Sequence, residues 1–92
     1  MTRDEAETLA LQALAWMAGQ EGLLAAFLAE TGADVAALAA GAHRPEVLAG
    51  VLDFLLADDA RVTGFARDAG LPPDRPLRAR AALPGGALPH WT

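Results

Sequence analysis

The sequence contains no cysteine, and serine, lysine, tyrosine, asparagine and isoleucine are missing as well. Without cysteine, disulfides, thiolate metal sites, iron–sulfur clusters and thiol nucleophiles are excluded, and a reducing compartment, the cytoplasm, is the expected setting. The loss of serine, lysine and tyrosine removes most other nucleophiles. Threonine, two histidines, carboxylates and arginine remain as candidates for chemistry. Long apolar runs are absent too: the longest uncharged stretch, Thr8 to Gln20, falls short of the ~20 apolar residues that a membrane-spanning helix needs. The start of the chain carries Asp4, Glu5 and Glu7 where a secretion signal is basic, so no such signal is expected. No segment alternates with period two, and strands are not expected.

What is present is alanine and leucine, 23 and 15 of the 92 residues. Arginine without lysine, and alanine, glycine and proline in place of isoleucine, asparagine and tyrosine, is the residue set that GC-rich codons favour. Hydrophobic residues make up 53% of the chain and charged residues 21%, enough to collapse around one modest core. A chain of this mass hides roughly 60 to 65% of its unfolded surface on folding, which suits one domain. The net charge of -5 is unevenly spread. Residues 1–60 hold two arginines against ten acids, a balance of -8, and residues 61–92 hold five arginines against two acids, a balance of +3. An acidic protein repels nucleic acid and anionic membrane at long range.

Helix signals punctuate the chain. Thr2 followed by Glu5 has the spacing of a capping box and sets a first helix from about Arg3, with Leu9, Ala10, Ala13, Leu14 and Met17 on one face. Leu11 and Trp16 extend its apolar surface around most of the circumference, as expected of a central helix or half of an interface. Leu23, Leu24, Phe27 and Leu28 mark a second helix that stops at Gly32, and Asp34 caps a short third one carrying Val35 and Leu38. Pro45 and Glu46 open the strongest helix, ending near Ala57, whose apolar arc spans about 200° at ~100° per residue. Asp58 and Asp59 make a break suited to capping a fifth helix over Val62, Phe65, Ala66 and Ala69, and Gly70-Leu71 closes it. Asp74 and Pro76 start a last helix through Leu83. The expected architecture is all-α: a compact bundle of five to six short helices in one domain over residues 1–83, with a Pro/Gly-rich, irregular tail over residues 84–92.

Candidate sites are few. His43 and Arg44 precede the fourth helix, where backbone N–H groups attract anions, but Pro45 removes a donor and Glu46 already places a negative charge there. His43 and Glu46 also have an i, i+3 relation, which is two ligands where a metal needs three or four. Asp53 falls in the small-residue arc of its helix, so exposure or an ion pair with an arginine such as Arg61 is expected, not a raised pKa. Arg75, Arg78 and Arg80 form the one concentrated basic patch, without the aromatic interleaving of a nucleic-acid binder. Trp91, in the tail, has the character of an anchor that docks on its own domain or on a partner, and Trp16 that of a core residue able to reach an interface.

The segments LALQALAWMAG (Leu9 to Gly19), FLAETG (Phe27 to Gly32), VLDFLLADD (Val51 to Asp59), FARDAGLPP (Phe65 to Pro73) and LPGG (Leu83 to Gly86) together resemble the short alphaproteobacterial domain of unknown function numbered thirty-five seventy-two. That resemblance implies a small helical bacterial protein and carries over no site residues. The residues themselves lead to the expectation of a non-catalytic protein–protein interaction module, with self-association as a homodimer as one form. No cofactor, metal or catalytic residue is expected; Trp16, Arg75, Arg78, Arg80 and Trp91 are the candidate contact residues. The alternative is a nucleic-acid-associated regulator using the Arg-rich C-terminal third, and an enzyme built on His43 and Asp53 ranks third.

Overall fold

Six helices make up all the regular structure of residues 1–84, the part of the chain described in this computed structural model. They are α1 (Arg3–Ala18), α2 (Leu23–Thr31), α3 (Val35–Gly41), α4 (Pro45–Leu56), α5 (Asp59–Ala69) and α6 (Arg75–Ala81). The expected irregular tail falls, from residue 85 onward, outside the described residues.

Local chemistry sets the boundaries. The Thr2 hydroxyl accepts from the Glu5 backbone N–H at 3.1 Å while the Glu5 carboxylate accepts from the Thr2 N–H at 2.8 Å, satisfying two of the donors that a helix start leaves open. Asp34 accepts from the Ala37 N–H at 2.7 Å, and Asp58 from the Ala60 N–H at 2.8 Å, at the starts of α3 and α5. Gly32 and Gly70 end α2 and α5 with φ of 76° and 70°, a left-handed conformation that a side chain resists. At the second of these the Leu71 N–H reaches back to the Ala66 carbonyl at 2.8 Å, completing the C-terminal motif. The last helix ends at Ala81, two residues earlier than its pattern suggests. Leu83 precedes Pro84, whose ring disfavours helical backbone at the residue before it, and the chain closes with tighter bonds from Ala82 to Ala79 and from Leu83 to Arg80.

Packing centres on α4, which is enclosed on most sides: Leu48, Ala49, Val51, Leu52, Phe54 and Leu55 are all buried. α1 lies against α4 and α6 and buries one face, Ala6, Leu9, Ala10, Ala13 and Met17. The centre is therefore shared: α1, expected as a central helix or half of an interface, buries one face and leaves Leu11 exposed, while α4 buries leucine, valine and phenylalanine around most of its circumference. The small side chains of Ala6, Ala10 and Ala13 bring the α1 backbone close to its neighbours, and Met17 and Phe65 fill the spaces left. Each large side chain fully withdrawn from water contributes roughly 1.5–3 kcal/mol. Two edge-on aromatic pairs tie peripheral helices to this centre, Phe27 with Phe54 at 5.4 Å between centroids and Trp16 with Phe65 at 5.9 Å.

Candidate interaction surfaces

The five residues expected to make contacts divide into three kinds. Trp16 is engaged within the fold. Its indole N–H donates to Asp68 Oδ2 at 2.8 Å, its ring meets the Phe65 edge, and a Cβ on Gly64 would lie 3.1 Å from its Cζ2, so α5 approaches the indole through the one position with no side chain. The indole N–H holds the Asp68 carboxyl below the usual aspartate range, with the Arg67 guanidinium as the next contribution. Only part of the ring is exposed, above a shallow hollow bordered by Gln12 and Leu71.

The arginine patch is split. Arg80 turns inward with 18% of its side chain exposed, places Nε 2.6 Å from Asp53 Oδ1 and Nη2 3.3 Å from Oδ2, and donates from Nη1 to the Pro84 carbonyl at 3.0 Å. The expected partner of Asp53, Arg61, goes elsewhere: its guanidinium lies 3.9 Å above the Phe54 ring and donates to the Phe54 carbonyl at 2.8 Å. Arg78 stands 3.8 Å from Asp74, one helical turn away, and Arg75 is exposed beside α1. Trp91 lies outside the described residues.

His43, Arg44 and Asp53 are exposed, and among the described residues no three histidine or acidic groups come together in a way that could hold a metal. Within the same part of the chain no polar or charged residue is buried. The arrangement thus offers no enclosed acid or base of altered strength.

The feature that sequence reasoning missed is the corner made by α2 and α3. The two helices meet at 84° around Gly32 and Asp34, and both are strongly apolar. Of this corner only Phe27, Leu38 and Gly41 are fully buried; Ala25, Ala26, Ala29, Ala36, Ala39 and Ala40 face water, and Val35 is 63% exposed. Between the corner and α4 runs a groove of about 320 Å³. Its walls are Phe27 and Thr31 of α2, Ala37 and Leu38 of α3, and Val47 and Gly50 of α4, with Glu46 at the rim. A Cβ on Gly50 would meet nothing within 4 Å, so the absent side chain there opens the groove. The one sequence signal for it is a glycine at mid-helix, in the small-residue arc of α4. No helix in the described residues is long and apolar enough to cross a membrane.

Fold and surface together define a small all-α protein with a tightly interlocked centre and one open apolar corner. Residues 3–86 match the family described as Protein of unknown function (DUF3572), and the chain belongs to that family. No curated protein and no solved structure matches it.

Proposed function

We propose that this protein is a non-catalytic interaction module of the cytoplasm that acts through the outer face of the α2–α3 corner, with a second copy of the chain as its partner. The observation that carries this reading is the exposed apolar surface around Val35 on the outer side of helices whose inner side chains, Phe27 and Leu38, are buried. Alanine at positions 36, 39 and 40 favours it, because short side chains let two helices approach closely when copies meet face to face. The scarcity of nucleophiles and the absence of a buried acid or base among the described residues support the non-catalytic part. A nucleic-acid-associated regulator finds less support, since Arg80 is committed to Asp53 and Arg78 has an acid one turn away.

Sedimentation equilibrium of the wild type and of Val35→Glu tests the proposal. The expected result is a dimer that dissociates in the variant, whose charge has no partner on an apolar interface. A wild type that stays monomeric at every concentration overturns it.

A further inference from the structure

We infer that the groove between the α2–α3 corner and α4 holds one turn of a basic amphipathic helix from another protein, with an apolar side chain in the groove and a lysine or arginine at the Glu46 rim. The walls select the first part. Phe27, Leu38, Val47 and the bare Gly50 border about 320 Å³, near the small end of the range for ligand pockets and room for a large apolar side chain. The polar groups select the second. The Thr31 hydroxyl donates its own proton to the Phe27 carbonyl at 2.9 Å, so toward the groove it can only accept, and the Glu46 carboxylate accepts as well. Such a groove takes a donor, and lysine and arginine are donors with no acceptor.

Charge points the same way. Residues 23–56, which build the three walls, hold Glu30, Asp34, Glu46 and Asp53 against a single arginine, Arg44. Arg80 of α6 answers Asp53, which leaves Glu30, Asp34 and Glu46 facing one cation. An anionic lipid, a nucleic acid or an acidic peptide is therefore repelled, and a cationic segment is drawn in. Arg44 does not close the site. Its Nε stands 3.6 Å from Glu46 Oε1 with the two side chains 64% and 69% exposed, a contact weak enough to be exchanged for a partner's cation. Spacing fixes the form of the occupant. Glu46 and Gly50 are one turn apart on α4, about 6 Å, and a helix presents its residues i and i+4 on one side at that same separation. A single turn of a partner helix thus places its cation at Glu46 and its apolar anchor beside Gly50. Val35 is not among the wall residues, so this contact goes beyond association through the outer face and does not rest on it.

Titration of the isotope-labelled full chain with a synthetic amphipathic helix of leucine and lysine, followed by two-dimensional NMR, tests the inference. The expected result is saturable movement of the Val47 and Gly50 amide signals, which the same peptide with glutamate in place of lysine does not produce. Gly50→Leu adds a side chain that enters the groove without meeting the fold, so it is expected to abolish binding while the thermal unfolding midpoint stays at or above that of the wild type. Glu46→Gln is expected to weaken binding about two- to fivefold, and Arg44→Ala, which frees Glu46, to strengthen it by about as much. Val47 and Gly50 signals that stay unmoved by the leucine–lysine peptide overturn the inference. So does equal binding of the glutamate peptide. Groove signals that move with protein concentration alone assign the groove to a second copy and overturn it as well. Val35→Glu keeps the two proposals apart: it removes the dimer and leaves the response to the peptide in place.

Discussion

Alanine lines both α1 and α3, and its fate in the two helices is opposite. In α1 the residues Ala6, Ala10 and Ala13 have no exposed surface, because α4 and α6 lie directly over them. In α3 the residues Ala36, Ala37, Ala39 and Ala40 remain in water, because only Leu38 and Gly41 of that helix reach the core. The same small side chain serves as a seat for a neighbouring helix in one place and as an uncovered surface in the other. An alanine stripe is therefore a capacity for close approach, and whether that capacity is used depends on what the chain folds back over it.

The sharpest way to break this contrast is to delete volume. Leu52→Ala, at a fully buried position of α4, is expected to lose about 2–5 kcal/mol in chemical denaturation. The same deletion at Leu77, 63% exposed on α6, changes stability by less than about 0.5 kcal/mol. Adding volume probes the alanines themselves. Ala10→Leu forces α1 away from its neighbours and is expected to cost about 1–3 kcal/mol, while Ala39→Leu on α3, measured in the Val35→Glu background where the chain is a monomer, stays within about 0.5 kcal/mol. Equal effects at the two positions would erase the distinction between closed centre and open corner.

A smaller difference separates two arginines on one helix. Arg80→Ala removes a forked ion pair to Asp53 and the donor to the Pro84 carbonyl, and about 1 kcal/mol is expected because Asp53 is largely in water. Arg78→Ala is expected to change stability by a few tenths of a kcal/mol. A double-mutant cycle of Arg80→Ala with Asp53→Ala isolates the pair.

The smallest effect concerns pH. The folded carboxyl of Asp68 is held down first by the Trp16 indole, and that of Glu5 first by the Thr2 backbone N–H and then by the Thr2 side chain. Each group contributes stability that is fully present above the ordinary carboxylate range and is lost as pH falls through its lowered folded value. Trp16→Phe keeps the aromatic contact with Phe65 and removes the donor, so its stability is expected to fall less steeply with acid than that of the wild type. Denaturation midpoints across the acid range provide the check, and parallel acid limbs would show that the indole does not hold the Asp68 proton off.

Much of this fold was legible along the chain because its signals act between near neighbours. The Thr2–Glu5 capping box, the caps at Asp34 and Asp58, the start at Pro45 and the glycine stops at residues 32 and 70 each involve hydrogen bonds spanning a few residues, so residue order determines them. The wide apolar arc of α4 was visible as well, and it is the tertiary structure that encloses it. Pairings over long separations were a different matter. Asp53 had a plausible partner in Arg61, eight residues on, but α6 delivers Arg80 to it from a separation of 27, while the Phe54 ring and carbonyl claim Arg61. Trp16 finds Asp68 across 52 residues. The groove beside Gly50 exists only because α2 and α3 turn through 84° and stop short of α4. Composition and spacing determined an all-helical chain of five to six short helices and most of their starts and stops, since backbone hydrogen bonds close within a turn or two. Which faces are covered, which charges meet and which corner stays open were decided by the tertiary structure, because those outcomes depend on the relative placement of helices that no local interaction fixes.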